Sequence, residues 1–287
     1  MSEEHLEPFD DQPVFWRTAP GEDGRAPILY VHGVPTNSDL WEPFLTEAGG
    51  IAVDLPGFGR TTKRGDLHPT IPYYADWLGR FLDEVAQVDR IRLVVQDWGA
   101  GAGLGLAMEQ PDRIERLVVL NSVPLLPGYR WHRTARLWRT PFVGGTMMGA
   151  NWRWLGRLAT REAIVRPGPM PDEFIRLCWD HFDYGTQRAI LRLYRWADPE
   201  VLAAAGARLG DIRAPTLVLW GGQDPYIPAE FAALYGDALG AEEVEVLPDA
   251  SHWPWYDRPD VVGRVAAFLG RRGAGDGPHG PAEAGPS

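Results

Sequence analysis

Cysteine is almost missing from this chain. Cys178 is the only one in 287 residues, which excludes an internal disulfide and a cysteine-ligated metal centre. Basic charge is also scarce. Lys and Arg total 28 against 39 Asp and Glu, a formal net charge of −11, so nucleic acid, whose binding needs a basic surface, is not an expected partner. No apolar run approaches the ~20 residues of a membrane-spanning helix. The first residues, Met1-Ser2-Glu3-Glu4-His5, lack the basic start and apolar centre of a signal peptide. The expectation is a cytoplasmic protein, monomer or homodimer, with no metal, cofactor or membrane partner.

What is present is core-forming material. Apolar residues make up 45% of the chain and Trp occurs 13 times. Six of those tryptophans (Trp131, Trp138, Trp152, Trp154, Trp179 and Trp196) fall between residues 125 and 205, a window with 12 Arg against 7 Asp plus Glu. This net-basic stretch inside an acidic protein reads as a separate layer, with most of its tryptophans filling core and interface. The Gly-, Pro- and Ala-rich segment 273–287 has no periodicity and is expected to be disordered.

Short apolar runs alternate with helical patterns along most of the sequence. An edge strand is expected around Val14-Phe15-Trp16, and buried strands at 28–31, 51–53, 91–97, 117–120, 214–220 and 244–247. Apolar Tyr74, Leu78, Phe81, Leu82 and Val85 predict a helix over 72–88, and further helices are expected near 229–239 and 259–269. The alternation stops after Asn121 and resumes at Thr216, with mainly helical patterns between. The pattern predicts an α/β fold with a mostly parallel central sheet flanked by helices. Residues 1–124 and 206–272 form its core domain, and 125–205 an inserted helical cap.

The chain is organised around Ile91-Arg92-Leu93-Val94-Val95-Gln96-Asp97-Trp98-Gly99. A buried strand runs straight into a carboxylate, then into small residues and a helix. This strand–turn–helix setting lifts one side chain above the sheet edge as a nucleophile elbow, although a carboxylate in that place can also simply cap the next helix. Asp224 and His252 each follow a later strand, and ligands bind beyond the carboxyl ends of strands in open α/β sheets. Alone, Asp224 could be a turn former and His252 an ordinary surface histidine. Together, in the order nucleophile, acid, histidine, they read as a catalytic set.

His32-Gly33-Val34-Pro35, Asp54-Leu55-Pro56-Gly57-Phe58-Gly59, Val95-Gln96-Asp97-Trp98-Gly99 and Ser251-His252-Trp253-Pro254 together resemble the α/β-hydrolase superfamily. More narrowly, they are similar to its aspartate-nucleophile branch of epoxide hydrolases and haloalkane dehalogenases. The resemblance implies that Asp97 attacks a saturated carbon of a small apolar organic substrate. A carboxylate suits that displacement because it needs no base to activate it. His252, oriented by Asp224, then activates water against the resulting ester, while the N–H groups of Val34 and Trp98 stabilise the oxyanion.

Within the branch, the markers divide. Tyr194, in Leu193-Tyr194-Arg195, resembles the ring-opening tyrosine of epoxide hydrolases, and His252-Trp253 also looks more like that family. Val34 lacks the side-chain amide with which many dehalogenases bind halide. Gln96 and Pro35-Thr36 look more like a dehalogenase, and Trp152 and Trp154 fall where a second cap tyrosine is expected, as candidate halide donors. Tyr129 and Tyr184 are the candidates to stand in for that tyrosine. The expectation is an epoxide hydrolase. The alternatives are a haloalkane dehalogenase using the same Asp-His-Asp set and, more remotely, a non-catalytic ligand-binding member of the fold.

Overall fold

The continuous apolar runs become the middle of one eight-stranded sheet. In the computed structural model, which describes residues 2–149, 157 and 160–271, the strands are β1 (Glu3–Phe9), β2 (Gln12–Ala19), β3 (Ile28–Val31), β4 (Gly50–Val53), β5 (Ile91–Asp97), β6 (Ile114–Ser122), β7 (Thr216–Gly221) and β8 (Glu243–Leu247). Their order in space is β1-β2-β4-β3-β5-β6-β7-β8. Pairing is parallel from β4 through β8 and antiparallel only at β1/β2 and β2/β4.

The helices are α1 (Glu42–Ala48), α2 (Ile71–Arg80), α3 (Gly99–Glu109), α4 (Arg133–Arg139), α5 (Val143–Gly149), α6 (Asp172–Trp179), α7 (Tyr184–Trp196), α8 (Pro199–Ala205), α9 (Glu230–Leu239), α10 (Pro254–Asp257) and α11 (Asp260–Leu269). Alternate residues of each central strand feed two cores. Leu29, Leu93, Val95 and Val119 pack with α2, α3 and α9 on one face. Ile28, Tyr30, Val94 and Val118 pack with α1 and α11 on the other. Helices on both faces explain why β5 is buried at every position and reads as an unbroken apolar run. Asn37 caps the helical turn Ser38–Trp41, its side chain accepting the N–H of Asp39, and α1 continues from it.

Three expectations change. β2 is not the edge: β1 lies outside it, joined by a two-residue turn in which Asp10 and Asp11 have φ of 54° and 58°, the left-handed pair that suits a tight hairpin. β1 escapes a hydrophobicity reading because an exposed edge strand can be made of Glu3-Glu4-His5-Leu6-Glu7. The helix expected over 72–88 is α-helical only to Arg80, then widens into a π turn at Phe81–Val85. β6 begins at Ile114, where charged Glu115 and Arg116 hide the pattern.

Between β6 and β7 the described residues contain α4 to α8 and no strand. The segment 273–287 and the residues Trp152 and Trp154 lie outside the described residues. No helix among the described residues is long and apolar enough to cross a membrane.

Candidate active site

β5 delivers Asp97 with φ of 50°, an uncommon conformation for a residue with a side chain and one that stores strain. The turn survives because its neighbours are small. A Cβ on Gly99 would meet the Val31 carbonyl oxygen at 2.1 Å. The loop after β3 is fixed from within. His32 Nδ1 lies 2.8 Å from the Gly33 carbonyl and its Nε2 accepts the Leu55 N–H at 3.0 Å, so the proton is on Nδ1. Burial lowers the pKa of His32 and favours this neutral form. The Thr36 hydroxyl donates to the same carbonyl. The loop thereby aims the Val34 N–H at Asp97 Oδ1, 2.7 Å away, and the Trp98 N–H reaches the same carboxylate.

His252 stands on the loop after β8. Its Nδ1 donates to Asp224 Oδ2 at 2.8 Å, and its Nε2 is 3.7 Å from Asp97 Oδ2. The N–H groups of Tyr226 and Ile227 donate to Asp224 Oδ1, and Asn121 Nδ2 donates to Oδ2 at 2.8 Å. Asn121 is itself anchored, its Oδ1 accepting the Gly221 N–H. The imidazole is gripped edge-on by Tyr226 and Trp253, with ring centroids at 5.0 and 4.5 Å. Gln96 Nε2 lies 3.2 Å from His252 Nε2 and donates to the His252 carbonyl.

The electrostatics follow from burial opposed by charge. Burial pushes the Asp97 carboxyl above its ordinary value, while His252 and the two amides pull it down. Burial disfavours charge on His252 too, but Asp224 and then Asp97 outweigh it and raise the imidazole above its ordinary value. The two groups are coupled, so each stabilises the charged form of the other. Among the described residues no cluster of three or more His, Cys, Asp or Glu is placed to hold a metal.

A mostly apolar cavity of about 330 Å³ opens over Asp97 and His252, lined also by Val34, Trp138, Met148, Trp179, Phe182 and Tyr194. Tyr194 comes from α7. It is 4% exposed, packs edge-on against Trp98 and Trp138, and is held protonated by burial, which raises its pKa well above the ordinary value. Trp98 serves the site through its main chain. Its indole lies against Trp131 and Tyr194 and does not line the cavity. Tyr129 does not line it either, its hydroxyl donating to the Tyr226 carbonyl. Tyr184 is 82% exposed and cannot serve the site.

An alpha/beta hydrolase family model matches residues 28–265. The chain belongs to the alpha/beta hydrolase family. A haloalkane dehalogenase of Mycolicibacterium paratuberculosis is 30% identical over 263 residues, covering 84% of this chain and 83% of that protein. Haloalkane dehalogenase 1 of Mycobacterium tuberculosis is 34% identical over 218 residues, 70% of this chain and 69% of that one. The crystal structure of haloalkane dehalogenase DbeA from Bradyrhizobium elkani superposes with a TM-score of 0.79 at 25% identity, over 94% of this chain and 98% of that chain. The chain is therefore a hydrolase of the dehalogenase-like branch of the family.

Sequence reasoning missed Asn121, His132, Trp179 and Phe182 as site residues. Asn121 was within reach, because it ends β6 at the same sheet edge as Asp97. The other three come from the segment between β6 and β7, where helical periodicity says which face is apolar but not which turn overhangs the nucleophile.

Proposed function

We propose that this protein hydrolyses the carbon–halogen bond of small haloalkanes. The observation that carries the reading is the Asp97 carboxylate, held by the Val34 and Trp98 amides with His252 at 3.7 Å, beneath a small apolar cavity. Named relatives that are dehalogenases support this reading over epoxide opening. Residues 125–205 act as a cap that closes the cavity, over a core of 1–124 and 206–272.

In the first step an Asp97 oxygen attacks the carbon, an ester bond forms, and the halogen leaves with the electron pair of the broken bond. The ester is neutral, so one of the two negative charges that favour a proton on His252 has gone, while Asp224 stays. His252 then takes a proton from water, which attacks the Asp97 carbonyl carbon. The oxyanion forms where the two amides already point. In its collapse the alkoxide takes the acid's proton and leaves as the alcohol, the carboxylate is restored, and His252 gives its proton to solvent. Asp224 keeps the Nδ1–H of His252 pinned so that Nε2 accepts the water proton. Trp179 and Trp253 line the cavity, and among the described residues their buried indole N–H groups have no acceptor, which leaves them available to the departing halide. Trp152 and Trp154 remain candidates for the same task.

Epoxide opening is the second reading, favoured by one observation: the Tyr194 ring lines the cavity, where its hydroxyl could donate to a departing alkoxide. The experiment is a parallel turnover screen of chloro- and bromoalkanes against alkyl and aryl epoxides, following halide release and diol formation. Halide release without diol supports dehalogenation, and diol formation alone overturns it.

A further inference from the structure

His132 is a cavity residue that the reaction above leaves unused. It opens α4, a place usually held by Ser, Thr, Asp or Asn, and its Nδ1 accepts the Ala135 N–H at 3.4 Å. A ring nitrogen that accepts a hydrogen bond carries no proton, so the ring is neutral and its hydrogen sits on Nε2. Burial, and then the charge of His252, lowers its pKa to about 4, in agreement with a neutral ring. Among the described residues the cap is the only hydrogen bond the ring makes. The ring lines the same cavity as Asp97, Tyr194 and His252 and stands 5.0 Å from Tyr226, centroid to centroid, which itself abuts His252.

We propose that His132 is a catalytic hydrogen-bond donor to the departing halide, presenting its Nε2–H from the wall of the cavity; this rests on the dehalogenation reading. The indole N–H groups of Trp179 and Trp253 line the same cavity, and His132 adds a donor from the start of α4, where Val34 brings no polar side-chain atom and the Trp98 indole is turned toward Tyr194. The step needs no proton: the Asp97 oxygen–carbon bond forms, the carbon–halogen bond breaks, and the halide keeps the electron pair. A neutral imidazole fits that requirement. It stabilises growing negative charge without giving up its hydrogen, and it holds the product anion less tightly than a cation would. The helix cap has a second effect here, because it fixes the tautomer that leaves the hydrogen on Nε2.

The test uses His132→Asn and His132→Ser. Both residues are good caps, so α4 keeps its start, but neither reaches the place of Nε2. Single-turnover alkylation is followed with 1-chlorobutane, 1-bromobutane and 1-iodobutane, alongside hydrolysis of the alkyl-enzyme and thermal melting. Alkylation should fall roughly ten- to a hundredfold, the size of one hydrogen bond to a charged group. The loss should be greatest for chloride, whose charge is most concentrated, with hydrolysis and melting unchanged. Wild-type alkylation by either folded variant would overturn the proposal, as would a loss confined to hydrolysis, which would mean that His132 works through Tyr226 and His252. If the wild-type enzyme releases halide from none of the three, the dehalogenation reading fails as well.

Discussion

Gly33 lies so close to Asp97 that a Cβ on it would stand 2.3 Å from Oδ1. The missing side chain is what lets the Val34 N–H come within 2.7 Å of the carboxylate. Gly33→Ala should therefore push the loop and the nucleophile apart. Overpacking of this kind costs about 1–3 kcal/mol of stability, and displacing one oxyanion donor slows turnover by roughly 10²–10³. Thermal melting and kcat measure the two effects, and an alanine variant with wild-type kcat would show that this contact does not position the amide.

His252→Gln should separate the two half-reactions. Asp97 needs no base, so alkylation proceeds, but water is no longer activated and the ester accumulates. Intact-mass spectrometry after adding substrate should show an adduct that maps to Asp97. An unmodified mass with all activity lost would place His252 in the first step.

The hydrolytic step should gain from rising pH in a defined way. In the free enzyme Asp224 and Asp97 raise the His252 pKa above its ordinary value against the effect of burial. Esterifying Asp97 removes one of those two negative charges, so the His252 pKa falls in the alkyl-enzyme and the neutral base is present at lower pH. Ester hydrolysis should rise with pH through that lowered value and then level. Asp97→Asn mimics the loss of charge, and NMR titration of the His252 ring should give a lower pKa in this variant than in wild type. Equal values would show that Asp97 does not hold the histidine charged.

Tyr194→Phe distinguishes the two leaving groups. The hydroxyl is buried, with a pKa well above the ordinary value, so it can donate a hydrogen bond across the working pH range. If an epoxide is the substrate, losing that donor should slow alkylation by roughly 10²–10³. If a haloalkane is the substrate, bromide release should stay near wild type, since the halide takes its hydrogen bonds from His132 and the cavity indoles and needs no proton from the phenol.

The sequence carried the parallel middle of the sheet because strands buried on both faces must be apolar throughout. It put Asp97 and Asp224 at one sheet edge because each stands at the end of such a strand, and His252 beside them because it follows the alternating edge strand β8. It did not reveal β1, whose residues answer to solvent, nor the direction of the Trp98 indole. A tryptophan after the nucleophile looks the same in sequence whether its ring faces substrate or, as here, packs against Tyr194 and Trp131. Asn121 and His132 make their hydrogen bonds at the ends of elements, and neither leaves a periodic trace. The cap candidates Trp152 and Trp154 lie outside the described residues, so their role rests on the sequence resemblance.

The two margins of the sheet have a bearing on crowding. β1 presents Glu3, Glu4 and Glu7 along one free edge, whereas at the other edge, β8, Glu243 and Glu245 are paired with Arg264 and Arg271. Each edge offers unpaired backbone groups to any strand that drifts alongside. A second copy arriving edge to edge would bring the same glutamates with it, in a molecule that already carries a net charge of −11. Repulsion along the β1 margin opposes the joining of two sheets there, the kind of charge by which an edge strand resists zipping into longer ribbons.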